Sequence, residues 1–186
     1  MEPALWPTLA DAVAVLEARG MRCALIDGLA VSLRGQPRMT VDVDLVVLAT
    51  VEEALQLAHE LDSTCFAPLF PGVEEVVTKS FILPLRHRST GIRVDLAIGL
   101  SGFEQQAITR ATPVAIGDTQ IPVVSIEDLL VMKALAGRPQ DDQDLLGLVA
   151  TQRNAIDWPA CLGLAEKLGA AIDIDIASRL RLAREK

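Results

Sequence analysis

Two hydrophobic periods divide this chain. Over 8–19, Leu9, Val13 and Leu16 recur at helical spacing, with Thr8 placed to cap the segment and Gly20 to stop it. Cys23, Ala24, Leu25 and Ile26 form a short apolar run, which predicts a buried strand. The Asp27-Gly28 break leads into a short helix over 29–34, ended by Gly35 and Pro37. Val41-Asp42-Val43-Asp44-Leu45-Val46-Val47-Leu48 then reads as a strand, and 51–62 as an amphipathic helix. Residues 66–79 are ambiguous, with Pro68, Pro71 and Gly72 marking loop. Strands over 81–87 and 92–98 flank the hairpin signal Arg88-Ser89-Thr90-Gly91. Ser101 opens a helix to about residue 110, and two short strands, 112–116 and 120–124, flank the turn at Gly117-Asp118-Thr119. The remainder is helical. One helix starts at the near capping box formed by Ser125 and Asp128, one runs over 140–153 after the break at Gly137-Arg138-Pro139, and two follow Trp158-Pro159 and Ile174. The order predicts an α/β (α+β) fold with a small mixed sheet, flanking helices and a helical C-terminal part. Its expected division is a core over 1–124 and a helical part over 125–186 packed on it.

The chemistry begins with the acids of the second strand. Asp42 and Asp44 are two residues apart, so a strand puts both on one face and Val41, Val43 and Leu45 on the other. Carboxylates in a buried-looking strand are costly unless paired, and a divalent cation is their natural partner. Asp95, within Arg93-Val94-Asp95-Leu96, repeats the pattern. If its strand lies beside the first, three carboxylates meet on one surface, able to hold two divalent ions ~3.5–4 Å apart, the spacing for in-line attack at phosphorus. The third acid then suits the role of base toward a hydroxyl. Gly28, between a strand and a helix, lets a phosphate approach the backbone. Lys133, Arg34 and Arg38 are further phosphate candidates.

Composition narrows the classes. The 186 residues carry a net charge of −8, which argues against a general nucleic-acid coat. Apolar residues make up 51% of the chain, yet no run of eighteen lacks a charge, so no membrane span is expected. Residues 1–6 lack the basic start and apolar core of a signal peptide. Cys23, Cys65 and Cys161 read as reduced thiols of a cytoplasmic protein, and neither they nor His59 and His87 show metal-type spacing. Arg86, His87, Arg88 and Arg93 read as a solvated strand pair, or as a docking site for RNA or an acidic partner. Asp141, Asp142 and Asp144 read as a charged helix N-terminus. Asp27 reads as an N-cap for the turn at Gly28.

The segment from Ile26-Asp27-Gly28 to Arg38-Met39-Thr40-Val41-Asp42-Val43-Asp44 resembles the signature of the nucleotidyltransferase superfamily related to DNA polymerase β. It is most similar to the minimal bacterial branch with R-x-T-x-D-x-D, which includes the toxins of type IV toxin–antitoxin and abortive-infection systems. Arg93-Val94-Asp95 resembles the third-acid strand, and the segments from Ser125 to Lys133 and from Arg138 to Leu145 resemble the helix pair after the sheet. The resemblance implies a polymerase-β-like fold and Mg²⁺-dependent transfer of a nucleoside monophosphate from an NTP such as ATP. The acceptor would be a hydroxyl of RNA, protein or a small molecule. It implies two Mg²⁺ ions on Asp42, Asp44 and Asp95, a triphosphate cradle at Gly28, phosphate contacts from Arg38 and Lys133, and Asp144 as the acid of the following helix. The toxin branch adds an antitoxin protein as partner. Relatives carry two small residues in the turn, whereas here the first is Asp27, a carboxylate that repels a triphosphate unless a metal or arginine intervenes. Asp27 therefore keeps a rival reading open: a degenerate nucleotidyltransferase module that binds a nucleotide or a protein without turnover.

Overall fold

The computed structural model describes residues 4–35 and 37–186; the N-terminal reading of 1–3 and the place of Gln36 in the motif lie outside the described residues. Among the described residues seven strands form one mixed sheet: β1 (Arg22–Leu25), β2 (Asp42–Leu48), β3 (Phe66–Pro68), β4 (Ile82–His87), β5 (Arg93–Ile98), β6 (Thr112–Ile116) and β7 (Thr119–Val123). Their spatial order is β3-β4-β5-β2-β1-β7-β6. β2 and β5 run parallel in the middle, β1 is antiparallel to β2, and the β4–β5 and β6–β7 hairpins supply the antiparallel flanks. The expected mixed α/β architecture is what the chain adopts.

The helices among the described residues are α1 (Leu5–Glu17), α2 (Asp27–Arg34), α3 (Val51–Glu60), α4 (Val73–Ser80), α5 (Gly102–Arg110), α6 (Ile126–Ala136), α7 (Pro139–Gln152), α8 (Trp158–Ile172) and α9 (Ile176–Arg184). α3 and α5 start where the sequence provides full capping boxes, Thr50 with Glu53 and Ser101 with Glu104. Thr8 does not cap α1. The apolar face extends upstream through Leu5, so the helix starts earlier, and the Thr8 hydroxyl donates to the Ala4 carbonyl at 2.9 Å. The ambiguous stretch resolves into β3 and α4, separated by the Pro71-Gly72 turn with Gly72 at φ 81.

β2 alternates as its sequence requires: Val43 and Leu45 are fully buried, while Asp42 and Asp44 are only partly covered. Val41 lies just before the strand and is exposed, not part of the buried face. α6 is apolar around its circumference because it is enclosed, packing against α2, α7, α8 and α9. Leu129, Leu130 and Val131 are all fully buried there.

Candidate active site

The parallel register of β2 and β5 sets Asp44 opposite Asp95 and Asp42 opposite Arg93. Cross-strand neighbours share a face, so the three predicted carboxylates and Arg93 stand on one side of the sheet. Arg93 grips Asp95 with Nε at 2.8 Å from one carboxylate oxygen and Nη2 at 2.7 Å from the other. Asp42 accepts from the Thr40 hydroxyl at 3.0 Å. Among the described residues no ion pair within 4.0 Å joins Asp42 or Asp44 to a cation. Burial, then the charges of Asp42, Asp27 and Asp95, push the Asp44 carboxyl up to about 7, against a smaller pull from Lys133. That is the signature of a carboxylate set with unmet demand for positive charge, and a divalent ion at Asp42 and Asp44 fits it. Asp95 fits only after Arg93 releases it.

The turn after β1 is fixed beside this strand, because the Ile26 amide donates to the Asp44 carbonyl at 3.0 Å. Asp27 follows in the left-handed region at φ 50, one of the few L-residues that tolerate it. It is not a helix cap. Its carboxylate receives Lys133, Arg38 at 3.4 Å and Arg138 at 3.1 Å. Gly28 is needed for space: a Cβ there would stand 2.7 Å from Thr40 Oγ1 and 2.9 Å from Arg38 Nη2. The glycine thus lets the R-x-T segment lie directly over the turn.

Lys133 is neither solvated nor free. It is 2% exposed, with Asp141 at 3.0 Å and Asp144 at 2.9 Å besides Asp27. Burial alone would lower its pKa, but hydrogen bonds to Asp27, Asp144 and Asp141 outweigh burial and hold the ammonium charged. Arg38 Nε lies 3.0 Å from Asp144 and Arg138 Nε 2.7 Å from Asp141. Burial would raise the Asp141 carboxyl, yet Arg138 and Lys133 hold it down at about 2. Three cations and three carboxylates therefore form one neutral network under the turn. The acids of the α7 N-terminus stand in its first turns as read, but differ in setting: Asp141 and Asp144 are buried, and Asp142 faces solvent, paired with Arg179 at 2.6 Å. Arg34 does not join the site. It donates to the Val123 and Val124 carbonyls at 2.8 and 3.0 Å, tying α2 to the end of β7.

Sequence reasoning missed Arg138 and Asp141 as site residues. The signal was present in the i, i+3 spacing of Asp141 and Asp144, which puts both on the helix face toward α6. Past the carboxylates, Val46 and Ala97 continue the same sheet face into an apolar groove of about 430 Å³, walled by Phe103, Leu129, Met132 and Leu168. Asp27, Lys133 and Arg138 stand along it.

This architecture is a nucleotidyltransferase fold. An antigenic nucleotidyltransferase-like protein from Paracoccidioides brasiliensis superposes with a TM-score of 0.59 at 18% identity, covering 94% of this chain and 91% of that one. The antibiotic-resistance factor ANT(2'')-Ia superposes with a TM-score of 0.51 at 14% identity, covering 96% and 88%. The chain belongs to the family described as "Nucleotidyl transferase of unknown function (DUF2204)", whose model matches residues 6–157. No curated protein matches the sequence significantly. No described helix is long and apolar enough to cross a membrane.

Proposed function

We propose that the chain is a Mg²⁺-dependent nucleotidyltransferase that moves a nucleoside monophosphate from an NTP, ATP among them, to a hydroxyl. The observation that carries this reading is geometric: the parallel pairing of β2 with β5 gathers Asp42, Asp44 and Asp95 on one face, and Asp42 and Asp44 have no ion pair among the described residues. Two Mg²⁺ ions would be held by Asp42, Asp44 and Asp95, and would supply charge neutralisation at the triphosphate when bound. Asp95, released by Arg93, takes the acceptor hydroxyl's proton. Gly28 keeps the turn open, and Arg38, a quarter exposed, turns from Asp27 to a phosphate oxygen. Lys133 contributes its charge to the phosphates from beneath the turn. The apolar groove beside Val46 and Ala97 takes the flat face of the base. In this reading 1–124 carries the strand acids with Asp27 and Arg38 of the turn, and 125–186 supplies Lys133, Arg138, Asp141 and Asp144, which hold that turn.

The acceptor is an RNA end, a protein side chain or a small molecule. The motif resemblance supports a cytoplasmic toxin partnered by an antitoxin, and the likeness to an antibiotic-resistance factor supports a small-molecule acceptor. Fold alone does not separate them. A non-catalytic module is the second reading, favoured by Asp27 occupying Arg38 and Arg138 and by Arg93 occupying Asp95. Calorimetric titration of NTPs with Mg²⁺ tests the site: binding is expected in the wild type and lost in Asp44→Ala, and absence of binding in the wild type sinks the enzyme reading. Labelled NTP added with cell extract then decides between the two readings and among acceptors. Label in an RNA band, a protein band or a small product marks the acceptor, and binding without transferred label marks the module.

A further inference from the structure

On the opposite face of the sheet, three side chains from separate elements converge. Pairing of β4 with β5 sets Pro84 and Arg86 opposite Asp95 and Arg93, so His87, the next residue along, points away from the carboxylate face. Its ring meets Asp11 of α1, with Nε2 3.0 Å from Oδ2. Cys65, just before β3, completes the group, and one donor atom from each of Asp11, Cys65 and His87 lies within 4.8 Å of the other two. We propose that Asp11, Cys65 and His87 form a binding site for a zinc-class divalent ion that clips α1 to the β4–β5 hairpin.

The donor set selects that class. Thiolate and imidazole are ligands for borderline-soft ions, whereas Mg²⁺ takes oxygen. One thiolate and one carboxylate balance the charge of a divalent ion, with the imidazole neutral. His87 is oriented for the role: its Nδ1 is 2.8 Å from the Thr90 hydroxyl, which is itself 2.9 Å from the Thr8 hydroxyl, leaving Nε2 to face the site. The Phe66 ring, 5.1 Å from the imidazole, holds it from the side. His87 is nearly enclosed, while the Asp11 side chain is half exposed, so the ion has an entry from solvent and a fourth position open to water. Binding displaces the Asp11–His87 hydrogen bond: the imidazole proton moves from Nε2 to Nδ1, where the Thr90 hydroxyl accepts it, and the Cys65 thiol proton leaves to solvent. Cys23 and Cys161 do not compete: both are buried, and among the described residues neither clusters with Asp11 and His87. The two metal sites on this chain are thus separated by the sheet and by ligand softness.

Co²⁺ titration of the full chain, read by absorption, tests the assignment. One equivalent is expected to give a thiolate-to-cobalt charge-transfer band that Zn²⁺ abolishes and excess Mg²⁺ leaves intact. Cys65→Ser is expected to remove the band, and Asp11→Asn to weaken Co²⁺ binding at least about tenfold. Both variants sit at partly exposed positions, and circular dichroism checks that each is folded; His87→Ala, which empties a buried position, is avoided. No band in the wild type, a band that survives Cys65→Ser, or unchanged affinity in Asp11→Asn overturns the proposal. None of these readings depends on nucleotidyl transfer.

Discussion

Replacing Asp44 by Asn removes a partly buried carboxyl that no ion pair compensates among the described residues, while keeping its shape. The native carboxyl is pushed up to about 7 from an ordinary value of 3.8, by burial first and then by Asp42, Asp27 and Asp95. The native state therefore holds a proton that the unfolded chain has already lost in this interval. Unfolding releases it, so stability falls as pH rises from about 4 to about 7 and is flat outside that window. The difference of about three units corresponds to about 4 kcal/mol as an upper limit. Asn cannot ionise, so Asp44→Asn is expected to be more stable than the wild type by up to about 4 kcal/mol above pH ~7, with the advantage vanishing below pH ~4. Urea denaturation in a chelator, followed by far-ultraviolet circular dichroism at several pH values, measures the difference directly. A variant that is less stable than the wild type near neutral pH, or whose advantage is the same at every pH, refutes the account. Mg²⁺ is expected to raise the urea midpoint of the wild type near neutrality and not that of the variant. The same substitution should abolish nucleotidyl transfer, placing stability and function in opposition at one side chain.

Three further substitutions probe the turn and the strand. Asp27→Gly relieves a left-handed L-residue but strips three cations of a partner, for a net loss of about 2 kcal/mol in denaturation, while NTP affinity by calorimetry should rise as Arg38 and Arg138 are freed. Gly28→Ala places a methyl 2.7 Å from Thr40 Oγ1 and 2.9 Å from Arg38 Nη2. It should destabilise by about 1–3 kcal/mol and weaken NTP binding, because the R-x-T segment must lift away from the turn. Arg93→Gln breaks a half-exposed pair, so its effect on the urea midpoint should amount to less than about 1 kcal/mol. Freeing Asp95 should lower the Mg²⁺ concentration needed for half-maximal transfer, measured with labelled NTP.

The acids of β2 and β5 were legible because strand alternation is local: two carboxylates at i, i+2 among β-branched residues share a face wherever the strand pairs. Their meeting depended on β2 lying parallel to β5, which strand periodicity does not determine and the motif resemblance supplied. The start of α1 was misplaced because Thr8 has the chemistry of a cap, yet Leu5 and Trp6 prolong the apolar face and win. Asp27 was misread for the opposite reason. An acid before a helix is usually a cap, and its partners Lys133 and Arg138 stand more than a hundred residues away. Asp11, Cys65 and His87 show no spacing signal at all, since their convergence is produced by α1 docking on a hairpin.

The two sets of carboxylates around the turn differ in one respect that separates stability from chemistry. Asp27, Asp141 and Asp144 are matched one for one by Lys133, Arg38 and Arg138, and their network is neutral and closed. Lys133, Asp141 and Asp144 are buried, so removing any of these three leaves buried charge short of a partner, which makes the network a structural support for the turn. Asp42 and Asp44 have no such match among the described residues, and Asp95 has one only from Arg93, two residues away on its own strand and half exposed. A bound triphosphate with divalent ions brings both signs of charge at once: cations for the strand acids, anions for Arg38 and Arg138. The ligand thus exchanges partners with the network, and the energy it recovers at Asp44 is available to offset the ion pairs it breaks at Asp27. Asp27 then sets a threshold for nucleotide entry. Phosphate without a divalent ion would leave Asp44 as strained as before and gain too little to open the turn, so NTP binding should require the metal.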